Sequence, residues 1–380
     1  MSDPAQAWAA LNLRCTAQTG LRRRIIARAA PDSDPSAILR AGAGPADDRR
    51  DEARFETEAR AEIETARRAG IELITLADRR YPALLRGTTD RPLLLYVRGA
   101  LQPEDVLAIA VVGSRRATPQ GIELAERIAA DLAAEGFVVV SGLARGIDAA
   151  AHRGALQAGG RTLAVLGSGL QNIYPVEHTR LAGKIAAQGA VISELPLAAA
   201  PLKRHFPERN RLIAWLTWAT VVVEGTADSG SLITADLAAA EGRTVFAVPG
   251  PVGEPQSEGT NALLRQGALV CRSAGDIIED LAPQLVEASR GLRAGADGGD
   301  GGYEKVSGAA RRRTPGGGST PDQRLVLQAM PARRGIGIEE LGRASGLDPG
   351  KLLATLLELE IAGRIRQLPG RRFVAVGDPI

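Results

Sequence analysis

An α/β fold, in which a doubly wound and mostly parallel sheet is joined to smaller helical regions, is predicted by two observations on this 380-residue sequence. Between about residues 106 and 282, short β-branched runs (VLAIAVVG, FVVVSG, TLAVLG, AVISEL, TVVVEG, TVFAVPG and ALVCR) alternate with alanine-rich stretches of helical character. These runs are apolar at nearly every position, as expected of strands covered by helices on both faces. Repeated strand-helix units of this kind specify a Rossmann-like architecture.

The remaining elements follow in order. Residues 1–68 read as a helical N-terminal domain, rich in Ala and Arg and interrupted at PDSDP and AGAGPADD. IELITL and PLLLYVRG, within 71–98, read as further strands attached to the sheet, so 69–282 form one extended Rossmann-like domain. The Gly-rich stretch 283–320, with a basic knot at Arg311, Arg312 and Arg313, reads as a flexible linker. In 321–380, QRLVLQAM, GIEELGRASG and PGKLLATLLELEIAG read as three helices, and RIRQLPGRRFVAV as two strands around a Pro-Gly turn. Three helices and a hairpin predict a winged helix.

Composition narrows the functional classes. A hydrophobic share of 44% with 24% charged residues is an ordinary globular balance. Cys15 and Cys271 are far apart and outside any metal-ligand spacing, which fits a reducing compartment with neither disulfide nor zinc site. With no basic, apolar leader and no run of membrane-spanning length, the expected location is cytoplasmic. Residues 101–282 hold 15 Lys/Arg against 19 Asp/Glu, whereas 311–380 hold 12 against 7. A polyanion bound by the acidic middle therefore requires cations clustered on one surface.

Parallel strands deliver their following loops to one carboxyl edge, so motifs scattered in sequence converge there. After the first parallel strand comes GSRRATPQG: Gly113 permits a tight turn, Ser114 offers a hydroxyl, Arg115 and Arg116 offer guanidinium forks, and Thr118-Pro119 starts a helix. The alternative is a turn with solvated arginines. The spacing is not a G-x-G-x-x-G fingerprint, so a dinucleotide is disfavoured. After the second comes SGLARGIDAAAH, where Gly142 and Gly146 free backbone amides, Arg145 supplies a cation and Asp148 is placed to cap the next helix. Close strand-helix packing explains the same glycines equally well. His152 reads as structural, since no nucleophile or metal partner accompanies it.

Further along, GSGLQNIYP and EGTADSGSLITADLAAAEG, the latter with Ser229 and Ser231 at a helix start, are further candidate anion sites. Glu224, at a strand end, is the best-placed acid for catalysis, although no second carboxylate stands at an acid-base or metal spacing and capping is a commoner role. Between the fourth and fifth parallel strands lies KRHFPERNRLIAW, where Lys203, Arg204, Arg209 and Arg211 are interleaved with Phe206 and Asn210. The cations suit consecutive phosphates. The aromatics Phe206 and Trp215 are expected in the core rather than stacked on bases.

Together VVGSR, VVSGLARGIDAAAH, TLAVLGSGL with its following YP, ISELP, FPERNRLIA, GSLITADLA, EGRTVFAVPG and EGTNALLRQGA resemble the DNA-processing protein A (DprA, or Smf) family over about 106–282. The stretch ITLADRRYPALLRGTTDRPLLLYVRGAL looks like the family's approach to this domain. The resemblance implies a single-stranded DNA-binding protein of natural transformation that protects incoming strands and helps load the RecA recombinase. It implies no catalysis and no cofactor or metal, a homodimer joined through the Rossmann-like domain, a SAM-like N-terminal module and an optional C-terminal winged helix. By motif position, Arg115 and the Arg209-Asn210-Arg211 element are its first-choice DNA contacts. The sequence departs from the family pattern where Val176 replaces a frequent Lys, Gln171 a usual Asp, Trp215 a Gly and Asp228 a basic residue. The N-terminal module lacks its Gly-x-Gly turn. The basic wing, Arg364, Arg366, Arg371 and Arg372, suits a backbone contact or a protein partner, and the helix before it carries Lys351 against Glu358 and Glu360.

A rival class is an enzyme, since Rossmann-like nucleotide phosphoribohydrolases also combine a Gly-Ser-Arg start with a Gly- and Thr-rich loop such as EGTADSGS. The long cationic element and the appended C-terminal domain suit a polymer better than a mononucleotide. A scaffold that binds only proteins is a third reading.

Overall fold

The computed structural model describes residues 4–17, 25–26, 29–41, 48–282, 320–330, 336–347, 351–352, 355–356, 359, 364–368 and 372–375. The chain forms two compact units, residues 1–277 and 278–380. The stretch 283–319 expected as linker lies outside the described residues, as does most of the expected recognition helix.

The larger unit begins with helices α1 (Pro4–Ala17), α2 (Pro35–Ala41) and α3 (Asp48–Arg68). It continues through β1 (Ile71–Thr75), the single turn α4 (Ala83–Arg86) and β2 (Leu94–Gly99). The strand-helix repeat then runs β3 (Ala108–Val112), α5 (Pro119–Ala134), β4 (Val138–Ser141), α6 (Ile147–Gln157), β5 (Thr162–Val165), α7 (Thr179–Gln188) and β6 (Ala190–Ser193). After it come α8 (His205–Trp215), β7 (Ala219–Val222), α9 (Gly230–Ala240), β8 (Thr244–Ala247), α10 (Pro255–Arg265), β9 (Leu269–Val270) and a helix over 274–282.

All nine strands join one sheet in the order β1-β2-β6-β5-β4-β3-β7-β8-β9. From β6 to β9 every pairing is parallel, while β1 and β2 pair antiparallel at the far edge. Strands β3 to β7 are buried at every residue, the double-sided cover that their unbroken apolar sequences predict. Ile109 pairs with Val139 on one side and Ala219 on the other, so chain order reverses between β3 and β7 and a crevice opens beyond their carboxyl ends.

The N-terminal helices and the sheet share one apolar core, continuous from Trp8, Leu11 and Phe55 through Leu94, Tyr96 and Ile192 to Leu212 and Trp215. Polar ties cross the same boundary. Asn12 Nδ2 donates to the Glu194 carbonyl at 3.0 Å, and the Leu197 amide donates to Glu62 Oε1 at 2.6 Å. Cys15 and Cys271 are both buried and are not joined in a disulfide.

The smaller unit holds α11 (Pro321–Ala329), β10 (Ile336–Gly337), α12 (Ile338–Ser345), β11 (Ile365–Leu368) and β12 (Arg372–Ala375), its sheet ordered β10-β12-β11. Thr320 and Gln323 close a capping box that starts α11, and Gly346, at φ 68°, ends α12 in the left-handed conformation. Val326, Leu341, Leu352, Leu356, Leu359, Ile365 and Phe373 pack into its core. Strand β10 extends the expected hairpin to three strands.

Candidate nucleic-acid interface

The loops after β3, β4 and β5 meet the first turns of α8 at the carboxyl edge. They line a small cleft with Arg115, Gly142, Arg145, Tyr174, Phe206 and Arg209 among its walls. Its floor is shaped by local structure. Thr118 caps α5 by accepting the Gly121 amide at 3.0 Å, with Pro119 at the first helical position as expected. Leu143 takes a left-handed φ of 58° and Gly146 a φ of 75°, which bends the SGLARG loop under the cleft. A Cβ on Gly146 would stand 2.2 Å from the Ser114 carbonyl oxygen, and one on Gly113 2.7 Å from Ile147 Cγ1. Both positions therefore exclude a side chain.

Of the expected contacts, Arg115, Arg116, Lys203 and Arg204 are exposed, and among the described residues none forms an ion pair. The Arg115 guanidinium lies over the Phe206 ring at 5.3 Å, and Phe206 in turn meets Tyr174 with ring centroids 5.6 Å apart. Arg145 is exposed but engaged, its Nε donating to Glu177 Oε1 at 2.6 Å. Ser114 is buried, its amide donating to the Glu224 carbonyl at 2.7 Å and its hydroxyl accepting the Arg116 amide at 3.0 Å. Asn210 Nδ2 donates to the Gly230 carbonyl at 3.1 Å, and the Ser229 and Ser231 hydroxyls bond each other at 2.8 Å where α9 begins.

The expectation that Arg209 and Arg211 meet phosphate is corrected. The stretch from His205 is helical, and positions 209 and 211 point into the protein on two sides of α8, with 4% and 6% exposure. Arg209 donates to the Val165 carbonyl and lies against Gly142, where a Cβ would sit 2.1 Å from its Nη1. Burial pulls its guanidinium down to about 10, offset in part by the carboxylate of Asp148. Burial likewise raises Asp148, whose Oδ2 accepts the Gly142 amide at 3.1 Å. Asp148 thus braces the loop before α6 instead of capping the helix, whose N-cap residue, Gly146, makes no side-chain cap. Arg211 pairs with Glu194 and, at 3.0 Å, with Asp90, and its guanidinium lies 5.5 Å from the Trp215 ring centroid. Both arginines act as internal struts between loops.

Phe206 is also corrected, because it is half-buried rather than core, packed 3.0 Å from where a Gly167 Cβ would stand. Periodicity could not separate it from core, since positions 206, 210 and 213 fall on one helical stripe. Tyr174, 40% exposed, was missed for want of any local signal beyond its Tyr-Pro context. Trp215 and Ile213 are core as expected. His152 is structural: its Nδ1 meets Thr162 Oγ1 at 2.7 Å, and that hydroxyl donates onward to the Val139 carbonyl. The Glu224 carboxylate accepts from the Thr118 amide at 2.9 Å and from its hydroxyl at 2.6 Å. In the smaller unit Lys351 is exposed and Arg364 half-buried, while the side chains of Arg366, Arg371 and Arg372 lie outside the description.

Comparison with known proteins agrees with this architecture. The family model for DNA recombination-mediator protein A matches residues 72–282, and that for the DprA winged helix domain matches 310–371. Protein Smf of Escherichia coli is 38% identical over 297 residues, covering 76% of this chain and 74% of that protein. DNA processing protein DprA of Streptococcus pneumoniae is 43% identical over 206 residues, covering 54% and 73%. The X-ray structure of DprA from S. pneumoniae superposes with a TM-score of 0.60 at 34% identity, covering 72% of this chain and 97% of that one. A structure described as showing the single-stranded DNA binding mode of DprA from Helicobacter pylori superposes with a TM-score of 0.50 at 29% identity, covering 56% and 96%. With its Rossmann-like sheet, its winged helix and these matches over most of its length, the chain belongs to the DNA recombination-mediator protein A family.

Proposed function

We propose that this protein captures single-stranded DNA along the carboxyl edge of its sheet, with exposed cations on phosphates and the Phe206–Tyr174 face receiving a base. The observation that carries this reading is the Arg115 guanidinium held 5.3 Å over a half-exposed aromatic beside a second exposed ring. An aromatic face accepts any base, and cations beside it track the backbone, so the strand is held without reading its sequence. Arg115 and Arg116 supply phosphate contacts, and Lys203 and Arg204 extend them at the start of α8. Arg145, Asn210 and the α9 start at Ser229 and Ser231 complete the edge, while Gly113 and Ser114 shape the turn that presents Arg115. The family's Arg-Asn-Arg element serves this edge from beneath, through Arg209 and Arg211.

The wider role within this reading is natural transformation in the cytoplasm, where the protein protects incoming strands and helps load the RecA recombinase. A homodimer joined through the Rossmann-like domain extends the strand path across two subunits. The name of the H. pylori relative, which states single-stranded DNA binding, supports the ligand class. Hydrolysis of a nucleotide is disfavoured because the best-placed acid, Glu224, is spent on the start of α5 through two hydrogen bonds. Fluorescence anisotropy with a labelled single strand and its duplex at two salt concentrations tests the proposal. Tight binding to the single strand that weakens steeply with salt is expected. Absence of binding by folded protein, or base release from a nucleoside monophosphate that depends on Glu224, overturns it.

A further inference from the structure

Beside the cleft, paired with one of its wall residues, stands an acid that strand binding does not call for. Glu177, on the single 3-10 turn Val176–His178, reaches back to Arg145, and the two side chains are 51% and 57% exposed. Its carboxylate is kept in place by its own backbone amide and by the Arg145 guanidinium, which together hold it below the usual carboxylate range. Arg145 shares the cleft with Arg115, Tyr174 and Phe206, where a phosphate beside a stacked base would lie. The pair is held at 2.6 Å with no other carboxylate on Arg145 among the described residues. A strand reaching this position meets a cation that is already neutralised and a negative charge beside it.

We infer that Glu177 is a built-in competitor for the DNA phosphate: it occupies Arg145 in the free protein and must yield it when a strand binds. The inference rests on the single-stranded DNA reading of the cleft. An exposed pair of this kind opens at little cost, so the exchange does not block binding. Its effect is to weaken binding. With Glu177 removed, the same phosphate pairs with a cation that is already free, so affinity rises. The number of phosphates neutralised is the same in both cases, so the slope of log K against log salt changes by much less than the roughly 0.7 that one phosphate contact contributes.

The test measures binding of a labelled oligothymidylate to the full chain by anisotropy across a salt series, for wild type, Glu177→Gln, Arg145→Gln and the double variant, with thermal melts as a check on folding. The expected result is several-fold tighter binding by Glu177→Gln at low salt, a slope that differs from wild type by well under the roughly 0.7 of one phosphate contact, and loss of the gain in affinity in the double variant. Arg145→Gln alone is expected to change affinity less than it does in the Glu177→Gln background. Unchanged affinity in Glu177→Gln overturns the inference while leaving the DNA reading intact. An equal gain with Arg145 already removed also overturns it, since Glu177 would then act as a general negative field. If wild type fails to bind at every salt concentration, the DNA reading falls first and this inference falls with it.

Discussion

Substituting Arg209 by Ala is expected to damage the fold, whereas substituting Arg115 by Ala is expected to damage only binding, although both belong to family motifs at one edge. Arg209 is 4% exposed, donates to the Val165 carbonyl and is the first of two cations, with Arg115, that offset Asp148. Truncating it leaves a buried carboxylate without its main countercharge and opens a void between the loops after β4 and β5. Removing one member of a buried ionic arrangement costs roughly 3–5 kcal/mol. At about 2–4 °C per kcal/mol for a unit of this size, the melting temperature of the larger unit falls by roughly 6–20 °C. Arg115 is exposed, and its removal stays within about 0.5 kcal/mol of wild-type stability. Its loss from the cleft lowers the salt slope for a single strand by about 0.7. Differential scanning fluorimetry of both variants, paired with anisotropy well below either transition, separates the two roles. If Arg209→Ala melts with wild type yet loses affinity with a shallower salt slope, Arg209 touches the strand and the burial argument is wrong.

Phe206→Leu keeps an apolar side chain against Gly167 but removes the ring, so affinity for single strands is expected to fall by the roughly 1–3 kcal/mol of one base-aromatic stack, with the salt slope unchanged. Anisotropy across a salt series reads both quantities, and a changed slope would contradict a stacking role. His152 is pulled down to about 3, chiefly by burial and further by His178, Arg209 and Arg153. The folded state therefore keeps it neutral while the unfolded chain takes a proton below about 6.5, and stability is lost at ~1.4 kcal/mol per unit as pH falls from 6.5 towards 3. Urea titrations at pH 7 and 4.5 should show a stability loss roughly 2–3 kcal/mol smaller in His152→Ala than in wild type, and equal losses would refute the assignment. Gly146→Ala forces a side chain into φ 75° and to 2.2 Å from the Ser114 carbonyl oxygen. A destabilisation above about 1 kcal/mol by the same titration is expected, and a neutral outcome would mean that the loop relaxes freely.

Much of the molecule is legible in the sequence. Apolar runs such as AIAVV and VVVS lack an alternating polar face, and a strand of that kind is stable only between two layers of helix, so both the strands and the parallel sheet follow from local composition. Convergence of the loops at one edge then follows from topology alone, and Thr118-Pro119 marked a helix start that the structure keeps. What those loops present was not legible. Sequence spacing tells which residues of HFPERNRLIAW share a helical stripe, but not which side of α8 is met by the β5 loop, Glu194 and Asp90. Those partners lie 17 residues or more away along the chain, and only packing brings them to Arg209 and Arg211. The same long-range packing placed Phe206 beside Tyr174 and Arg115, and Glu177 on Arg145. The sequence by itself determined where the cations are and which edge they reach, because strand alternation and helix period are local. Only the tertiary structure decided which cations stay in water and which become struts, because a charge's partner and its desolvation are set by groups distant in sequence.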